Sequence, residues 1–179
     1  MPWKNGGGVT RELLKLPHPS EPSRFLARLS IARVATSGPF SVFPGVDRII
    51  MLLEGEGMAL SIAGAPEVVL ARRWQPFAFS GDAESHCRLL GGAVRDFNLM
   101  VDRATATASL EVVHLAPGKT LTVAGASTVL LHVLEGRALV AGTPVSMEET
   151  LWLEAPEVLA LRGEVEVALV AIRLTRRVA

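Results

Sequence analysis

The sequence contains no tyrosine and only one cysteine among its 179 residues. Without tyrosine no phenol is available as a general acid, so mechanisms that need one are excluded. A single cysteine can form neither a disulfide framework nor a thiolate metal cluster within one chain. We therefore expect Cys87 to be a small core residue and not a reactive thiol.

The sequence also lacks a charge excess and a long apolar run. Lys and Arg together number 18, as do Asp and Glu, so the basic surplus that nucleic-acid binding needs is missing and no such partner is expected. The longest apolar stretches, such as residues 49–53 and 129–134, are too short to cross a bilayer, and the N-terminus shows no signal-peptide pattern. These absences predict a cytoplasmic protein with no membrane partner.

Helical periodicity is absent as well. Short runs rich in Val, Ile, Leu and Phe alternate with Gly, Pro and Asn, which predicts an all-β fold. The proline-rich residues 16–22 are predicted to form a surface loop with a solvated His18, and residues 142–144 a turn. The predicted strands are residues 25–34, 48–54, 57–63, 67–70, 75–79, 88–90, 95–101, 109–115, 119–123, 128–134, 137–140, 150–153, 158–161 and 165–174.

Two parts of the sequence repeat each other. The tripeptide Leu-Glu-Gly at residues 53–55 aligns with the same tripeptide at residues 134–136, and the alignment extends to Trp74 and Trp152. This pattern indicates a tandem duplication. The Ala- and Thr-rich residues 104–108 dilute the strand signal between the two copies, so we place the boundary there.

Each copy resembles a cupin, so the chain is expected to be a bicupin: two tandem double-stranded β-helix (cupin or jelly-roll) barrels packed as one body. Residues 1–105 would form the first half, with a glycine-rich motif and a ligand site. Residues 106–179 would form the second half, which is expected to be mainly structural because it is poor in convergent polar residues.

The metal site of many cupins is not matched here. Metal-binding cupins use closely spaced histidines, a glutamate and a later histidine. Arg48 stands at the glutamate position, residues 41–44 contain no histidine, and the second half has Val129 at the corresponding position. His132 lies three residues too late and is expected to be a core or rim histidine, and His86 alone cannot make a site in the first half. We therefore expect no metal and no other cofactor.

Three segments concentrate the polar residues of this apolar chain. The first is residues 2–12, PWKNGGGVTRE, where Trp3, Lys4 and Asn5 precede three glycines centred on Gly7. Glycines let a backbone approach a ligand closely and turn its amides toward an anion. The alternative is a flexible tail near the chain start. We favour an ordered, ligand-binding segment.

The second segment is residues 38–48, GPFSVFPGVDR, which includes Ser41 and leads into a strand that begins with Arg48. If that strand lines a barrel, the Arg48 guanidinium enters the cavity, where it could grip a carboxylate with two parallel hydrogen bonds. The alternative pairs Arg48 internally with Asp47 or Asp96. In either case we expect one of these two aspartates to contact an arginine.

The third segment, residues 95–100, alternates between polar and apolar side chains. Asp96 and Asn98 fall on one face of the predicted strand, and Arg28 and Ser30 share a face on another strand. A buried amide costs on the order of 2 to 7 kcal/mol unless it is partnered, and an ionised carboxylate costs more. This inward polar face predicts a cavity with polar contents or an internal salt bridge.

These motifs, with RLSIA at residues 28–32, resemble the HutD/Ves family over the first hundred residues or so, while the second half matches only in its bicupin outline. The resemblance implies a bicupin without demonstrated catalysis, a link to histidine breakdown, and a role in sensing an intermediate such as N-formylglutamate. Family members usually carry a short strand before residues 2–12 and an aromatic residue at the position of Ala27. A wider pocket or a different ligand is therefore expected.

Three functions compete. The first is a non-enzymatic protein that binds a small anionic metabolite through Lys4, Arg48, Asn98 and the glycine segment. The second is a metal-independent isomerase or hydrolase that acts on a small carboxylate, with Asp96 as general base and Arg48 as electrostatic stabiliser. A strongly raised pKa of Asp96 in an open cavity would favour that enzyme. The third is a protein-interaction module, which would form a homodimer through the apolar second half.

Overall fold

The structure is a computed structural model that describes residues 1–3, 6–123, 128–154, 159–163 and 165–177. These residues form strands, and none of them belongs to a helix long and apolar enough to span a membrane. The predicted all-β fold is confirmed. The strands are β1 (Gly8–Pro17), β2 (Phe25–Val34), β3 (Gly38–Phe40), β4 (Val46–Glu54), β5 (Met58–Ile62), β6 (Val68–Leu70), β7 (Phe77–Ser80), β8 (Ser85–Leu89), β9 (Val94–Asp102), β10 (Ala106–Leu115), β11 (Thr120–Val123), β12 (Thr128–Glu135), β13 (Arg137–Val140), β14 (Thr143–Ser146), β15 (Thr150–Glu154), β16 (Leu159–Gly163) and β17 (Val167–Arg176).

The chain divides into two compact units, Met1–Thr105 and Ala106–Ala179. The two sheets of the first unit have the strand orders β1-β2-β9-β4-β7 and β3-β8-β5-β6. Those of the second unit have the orders β10-β17-β12-β15 and β11-β16-β13-β14. Apart from β1, the two units match strand for strand, as a tandem duplication would produce.

The core of the first unit is built from both of its sheets. Every second residue of a strand points to the same face, so apolar residues at alternate positions meet between the sheets. Cys87 is fully buried there, its Sγ lies 3.6 Å from the Met58 Sδ, and burial raises its pKa to about 11. The buried apolar residues of this core are Val34, Ile50, Leu52, Met58, Leu60, Ile62, Leu70, Cys87 and Val94.

The repeated Leu-Glu-Gly has a structural cause in both units. Gly55 and Gly136 follow β4 and β12 and have φ angles of +101° and +81°, a region that L-residues rarely adopt. A Cβ on Gly55 would lie 2.9 Å from the carbonyl oxygen of Ala93, and a Cβ on Gly136 would overlap that of Glu166. At both places glycine is needed for its φ angle and for the space beside it.

The alignment of the two tryptophans was wrong. Trp74 has a φ of +62°, and its amide donates to the Leu52 carbonyl at 2.9 Å. In the second unit Glu148 has a φ of +65°, and its amide donates to the Val133 carbonyl at 2.9 Å. Glu148 is thus the structural counterpart of Trp74, whereas Trp152 lies within β15.

Three strands were not predicted. The proline-containing strands β3 and β14 lie at sheet edges, where Pro39 and Pro144 need not donate a ladder hydrogen bond. Strand β1 is also an edge strand, and it extends through Pro17 into the stretch that was assigned to a loop. His18 is buried rather than solvated, and its Nδ1 accepts a hydrogen bond from the Glu21 amide at 2.9 Å.

Replacing Gly136 with alanine is expected to lower the free energy of unfolding by about 3 kcal/mol, because the new Cβ overlaps a backbone carbonyl and the φ angle is unfavourable. Gly142→Ala is the matched control: its φ is +83°, but nothing lies within 4 Å of the added Cβ. That variant should lose only about 1 kcal/mol. Urea unfolding would measure both, and equal losses would contradict the assigned clash.

Candidate functional site

Strands β2, β9 and β4 of the first unit bring polar side chains to the inner face of one sheet. In the antiparallel register Ser30 lies opposite Asn98, while Arg28 and Arg48 flank the same residue of β9. Asp96 is two residues from Asn98 and therefore shares its face. The alternation read from the sequence thus places these side chains together.

These side chains line a cavity of about 550 Å³, a size suited to a small molecule. It lies where β4 begins, whereas Ile50 and Leu52, farther along that strand, belong to the apolar core. The lining residues are Met1, Pro2, Trp3, Thr10, Arg28, Ser30, Ala32, Pro39, Phe40, Ser41, Phe43, Arg48, Asp96, Asn98 and Met100.

Most of the predicted site residues are brought together in this cavity. Gly7 and Asp47 do not line it, and Lys4 and Asn5 lie outside the described residues. The predicted residues that do line it are Trp3, Arg28, Ser30, Ser41, Arg48, Asp96 and Asn98.

Gly6 and Gly8 are hydrogen-bonded to Trp3, and Gly8 begins β1. The Trp3 amide donates to the Gly8 carbonyl at 2.9 Å, and the Gly6 amide donates to the Trp3 carbonyl at 3.0 Å. Gly7 is buried, and its carbonyl accepts a hydrogen bond from the Ala35 amide at 2.8 Å. This corrects the expectation that Gly7 lies at the ligand: among residues 3 and 6–8, Trp3 reaches the cavity.

Trp3 is held over the cavity by two contacts. Its Nε1 donates to the Thr10 Oγ1 at 2.7 Å, and its ring packs edge-on against Phe40 with centroids 6.0 Å apart. A Cβ at Gly8 would lie 2.5 Å from the Arg33 carbonyl oxygen and 3.1 Å from the Trp3 ring. The close approach of Trp3 and Arg33 therefore requires glycine at position 8.

Replacing Gly8 with alanine is expected to move β1 away from β2 and to displace Trp3, because the new Cβ would clash with both. The free energy of unfolding should fall by about 1 to 3 kcal/mol. Affinity for a cavity ligand should fall with it. Gly38→Ala is the control, since nothing lies within 4 Å of its added Cβ. Thermal unfolding and calorimetric titration would measure both properties, and an unchanged Gly8→Ala protein would refute the role of this close approach.

Asp47 lies outside the cavity because neighbouring residues of a strand face opposite sides. It is exposed, and its Oδ1 accepts a hydrogen bond from the Arg103 Nε at 2.8 Å. The expected contact between an aspartate and an arginine is thus present at Asp47. Its partner, however, is Arg103 and not Arg48.

Arg103 was missed by the sequence analysis, although it fastens the loop that precedes β4. Its Nη1 donates to the Asp82 Oδ2 at 2.7 Å, and its Nη2 donates to the Val46 carbonyl at 3.2 Å. The other Asp82 oxygen, Oδ1, accepts from the Gly45 amide at 2.7 Å, and these hydrogen bonds hold the Asp82 pKa well below its usual range. The hydrogen bonds among Arg103, Asp82 and Gly45 position the loop that carries Phe43, which lines the cavity. Nothing in a sequence pattern joins residues so far apart.

Arg48 is a buried cation among aromatic rings. Arg48 is 4% exposed, and its guanidinium carbon lies 5.6, 5.7 and 4.8 Å from the ring centroids of Phe40, Phe43 and Phe79. Burial lowers its pKa to about 10, which leaves it charged at neutral pH. Its Nη1 donates to the Ser41 carbonyl at a long 3.5 Å, and its Nε has no partner in the described chain.

Asp96 and Asn98 complete the polar centre of the cavity. Both are buried, and neither the Asp96 Oδ1 nor the Asn98 Oδ1 has a hydrogen-bond partner among the described residues. Burial raises the pKa of Asp96 to about 7, against smaller opposing effects of the Arg48 charge and the Asn98 side chain. The cavity therefore contains one buried donor, the Arg48 Nε, and two buried acceptors, the Asp96 and Asn98 Oδ1 atoms, that have no hydrogen-bond partner in the described chain.

Arg28 adds a second cation to the cavity, but this one is paired. Its Nε donates to the Glu12 Oε2 at 2.7 Å. Its charge still acts on Arg48 and contributes to the lowered pKa there. Because Glu12 offsets Arg28, the uncompensated charge of the cavity comes from Arg48 and, when ionised, from Asp96.

The three central polar residues of the cavity have apolar counterparts in the second unit. Counting from the hairpin glycines and through the strand register, Val129, Leu169 and Ala171 correspond to Arg48, Asp96 and Asn98. All three belong to the packed core of that unit. Across the described part of both units, no group of three or more His, Cys, Asp or Glu side chains could hold a metal ion.

Comparison with known proteins identifies relatives across the chain. The HutD family model matches residues 1–171. An uncharacterized 21.2 kDa protein in the hutC 3' region of Pseudomonas putida is 44% identical over 73% of this chain and 66% of its own length. The protein Ves of Cronobacter sakazakii is 36% identical over 84% of this chain and 79% of its own length.

Solved structures agree with these relationships. A conserved protein of unknown function from Pseudomonas aeruginosa PAO1 has a TM-score of 0.86 at 37% identity, covering 98% of this chain and 93% of its own. HutD from Pseudomonas fluorescens SBW25 has a TM-score of 0.85 at 34% identity, covering 99% and 94%. A cupin 2 barrel protein from Leptotrichia buccalis, 12% identical with a TM-score of 0.62 over 95% and 89%, supports the cupin-like fold alone.

Proposed function

The chain belongs to the HutD family, and on that premise we propose that it is a non-enzymatic protein whose first-unit cavity binds a small anionic metabolite. The HutD/Ves family is associated with histidine utilisation. The ligand we propose is a histidine-degradation intermediate such as N-formylglutamate, which the protein would sense or buffer in the cytoplasm and so modulate histidine utilisation.

The observation that carries this proposal is the set of unpartnered polar atoms in one cavity. Buried polar groups are nearly always hydrogen-bonded, and each that is not costs about 1 to 3 kcal/mol. The Arg48 Nε, Asp96 Oδ1 and Asn98 Oδ1 are all buried without partners in the described chain. A ligand that pairs with them recovers this cost, and a carboxylate is the natural partner of a buried guanidinium.

Calorimetric titration of the protein with N-formylglutamate, glutamate and urocanate tests the proposal. We expect at least one of these small anions to bind with a one-to-one stoichiometry and to raise the melting temperature. A sulfate titration at equal ionic strength is the control for unspecific anion effects. Failure of every organic anion to bind would refute the proposal.

A second function, catalysis without a metal, is favoured by one observation. Asp96 forms no ion pair with Arg48, and its pKa is raised to about 7, near the pH at which a general base works best. Asp96 would remove a proton from a small carboxylate substrate while Arg48 stabilises the charge that develops. Nuclear magnetic resonance in D₂O would detect exchange of a substrate C–H for deuterium. If no bound anion shows this exchange, catalysis is refuted and ligand binding remains the proposed function.

A further inference from the structure

We propose that the cavity selects carboxylates that also carry an N–H or O–H donor, which Asp96 and Asn98 accept while Arg48 holds the carboxylate. This inference rests on the proposed function and narrows it. A plain dicarboxylate, which offers acceptors only, would be a poor ligand. The preferred class is an acylated amino acid or a hydroxy acid.

The orientation of the Asn98 side chain is the first step. Its amide acts on the Asp96 carboxylate as a hydrogen-bond donor. The Asn98 Oδ1, the other end of that amide, is buried and has no partner in the described chain. An amide oxygen can only accept a hydrogen bond, so whatever occupies the cavity beside Asn98 must supply a donor.

Asp96 adds a second acceptor. Its Oδ1 is buried and unpartnered in the part of the chain that the structure describes, and above its pKa of about 7 the carboxylate is ionised and likewise only accepts. An anion without a donor would satisfy Arg48 but leave both oxygens unpaired. It would also place negative charge beside Asp96. A site with buried acceptors rejects ligands that lack the matching donor far more strongly than an apolar pocket rejects a changed methylene.

The strand register sets the distance between the two ends of such a ligand. On β4, Arg48 lies two residues from Ile50, the residue opposite Asn98. Two residues of a strand span about 7 Å. The Arg48 side chain is long and shares the cavity with both acceptors, so the carboxylate and the donor can belong to one small molecule, a few bonds apart.

A pair of probes that differ in one group tests the inference. N-acetylglutamate has an amide N–H, and 2-acetoxyglutarate has an ester oxygen in its place with nearly the same shape and charge. Calorimetric titration of the whole protein at a pH of about 8.5, where Asp96 is ionised, is expected to give an affinity for the amide about 10- to 100-fold higher than for the ester, the range for a hydrogen bond to a buried or charged acceptor.

Two variants assign that preference to the proposed acceptors. Asn98→Leu removes one acceptor, and Asp96→Asn replaces the other with a group that can donate to the ester. Each should shrink the ratio between the two probes severalfold. Asp47→Asn is the matched control, because it makes the same chemical change on a neighbouring strand outside the cavity, and it should keep the wild-type ratio.

The outcomes separate this inference from the function on which it rests. Equal affinity of both probes for the wild-type protein would refute the donor requirement and leave anion binding standing. A wild-type ratio retained in both cavity variants would place the donor contact elsewhere and likewise overturn it. If neither these probes nor the three anions tested above bind, the proposed function fails together with the inference.

Discussion

Arg48→Met is expected to weaken binding of small carboxylates by about 100-fold or more, while the free energy of unfolding stays the same or rises. The loss corresponds to one or two charge-assisted hydrogen bonds to a desolvated guanidinium, about 1.5 to 3 kcal/mol each. Stability is not expected to fall, because Arg48 has no carboxylate partner and methionine fills the space among the three phenylalanine rings.

Calorimetry with the carboxylate found to bind and urea unfolding would measure the two effects separately. Arg33→Met is the control, since Arg33 lies exposed on β2 outside the cavity. If Arg48→Met instead destabilises the protein by about 3 to 5 kcal/mol, as loss of one partner of a buried ion pair does, Arg48 serves the fold and not a ligand.

Asp96 is expected to make the stability of the unliganded protein fall as the pH rises from about 4 to about 7. Burial raises its pKa to about 7 in the folded state, whereas the unfolded chain keeps an ordinary value of about 3.9. Between these values the folded protein binds more protons than the unfolded one, so the contribution is present at low pH and is lost as the pH rises. The slope is at most about 1.4 kcal/mol per pH unit.

The Asp96→Asn variant should lack this contribution, so its stability relative to the wild type should rise over that pH range and then level off. The charged and titratable groups around Asp96 are Arg48 on β4, Arg28 on β2 and Cys87 on β8. The pKa values of Arg48 and Cys87 are about 10 and about 11, so both stay protonated across the range and Asp96 accounts for the trend. Urea unfolding at several pH values would measure the difference. Asp47→Asn should show no such trend, and a pH-independent difference for Asp96→Asn would refute the assignment.

Alternation along the strands was enough to predict much of the site. Asp96 and Asn98 share a face because side chains of a strand alternate, and the same rule places Arg48 on the inner face of β4. The rule also separates Asp47 from Arg48, although both belong to the segment of residues 38–48 that was assigned to the site. Residues next to each other in a strand point to opposite sides.

The misassigned segments share a different cause. Residues 142–144 were assigned to a turn and no strand was predicted around Pro39, but Pro39 and Pro144 each lie in an edge strand, where a missing amide donor is tolerated. Trp74 and Trp152 were aligned by residue type, whereas the structure matches Trp74 with Glu148 by backbone conformation. Neither the edge of a sheet nor a positive φ at a residue other than glycine is written in the local sequence.

The sequence by itself determined the all-β class, the repeated hairpin glycines and the polar inner face, because strand periodicity and the absence of a Cβ act over a few residues. Only the tertiary structure decided which polar atoms lack partners. Arg48 is enclosed by the rings of Phe40, Phe43 and Phe79. Asp47 instead forms an ion pair with Arg103, which is distant from it in the chain. Whether a buried charge serves a ligand or the fold depends on which neighbours the fold leaves beside it, since a charge out of water is tolerated only with a partner.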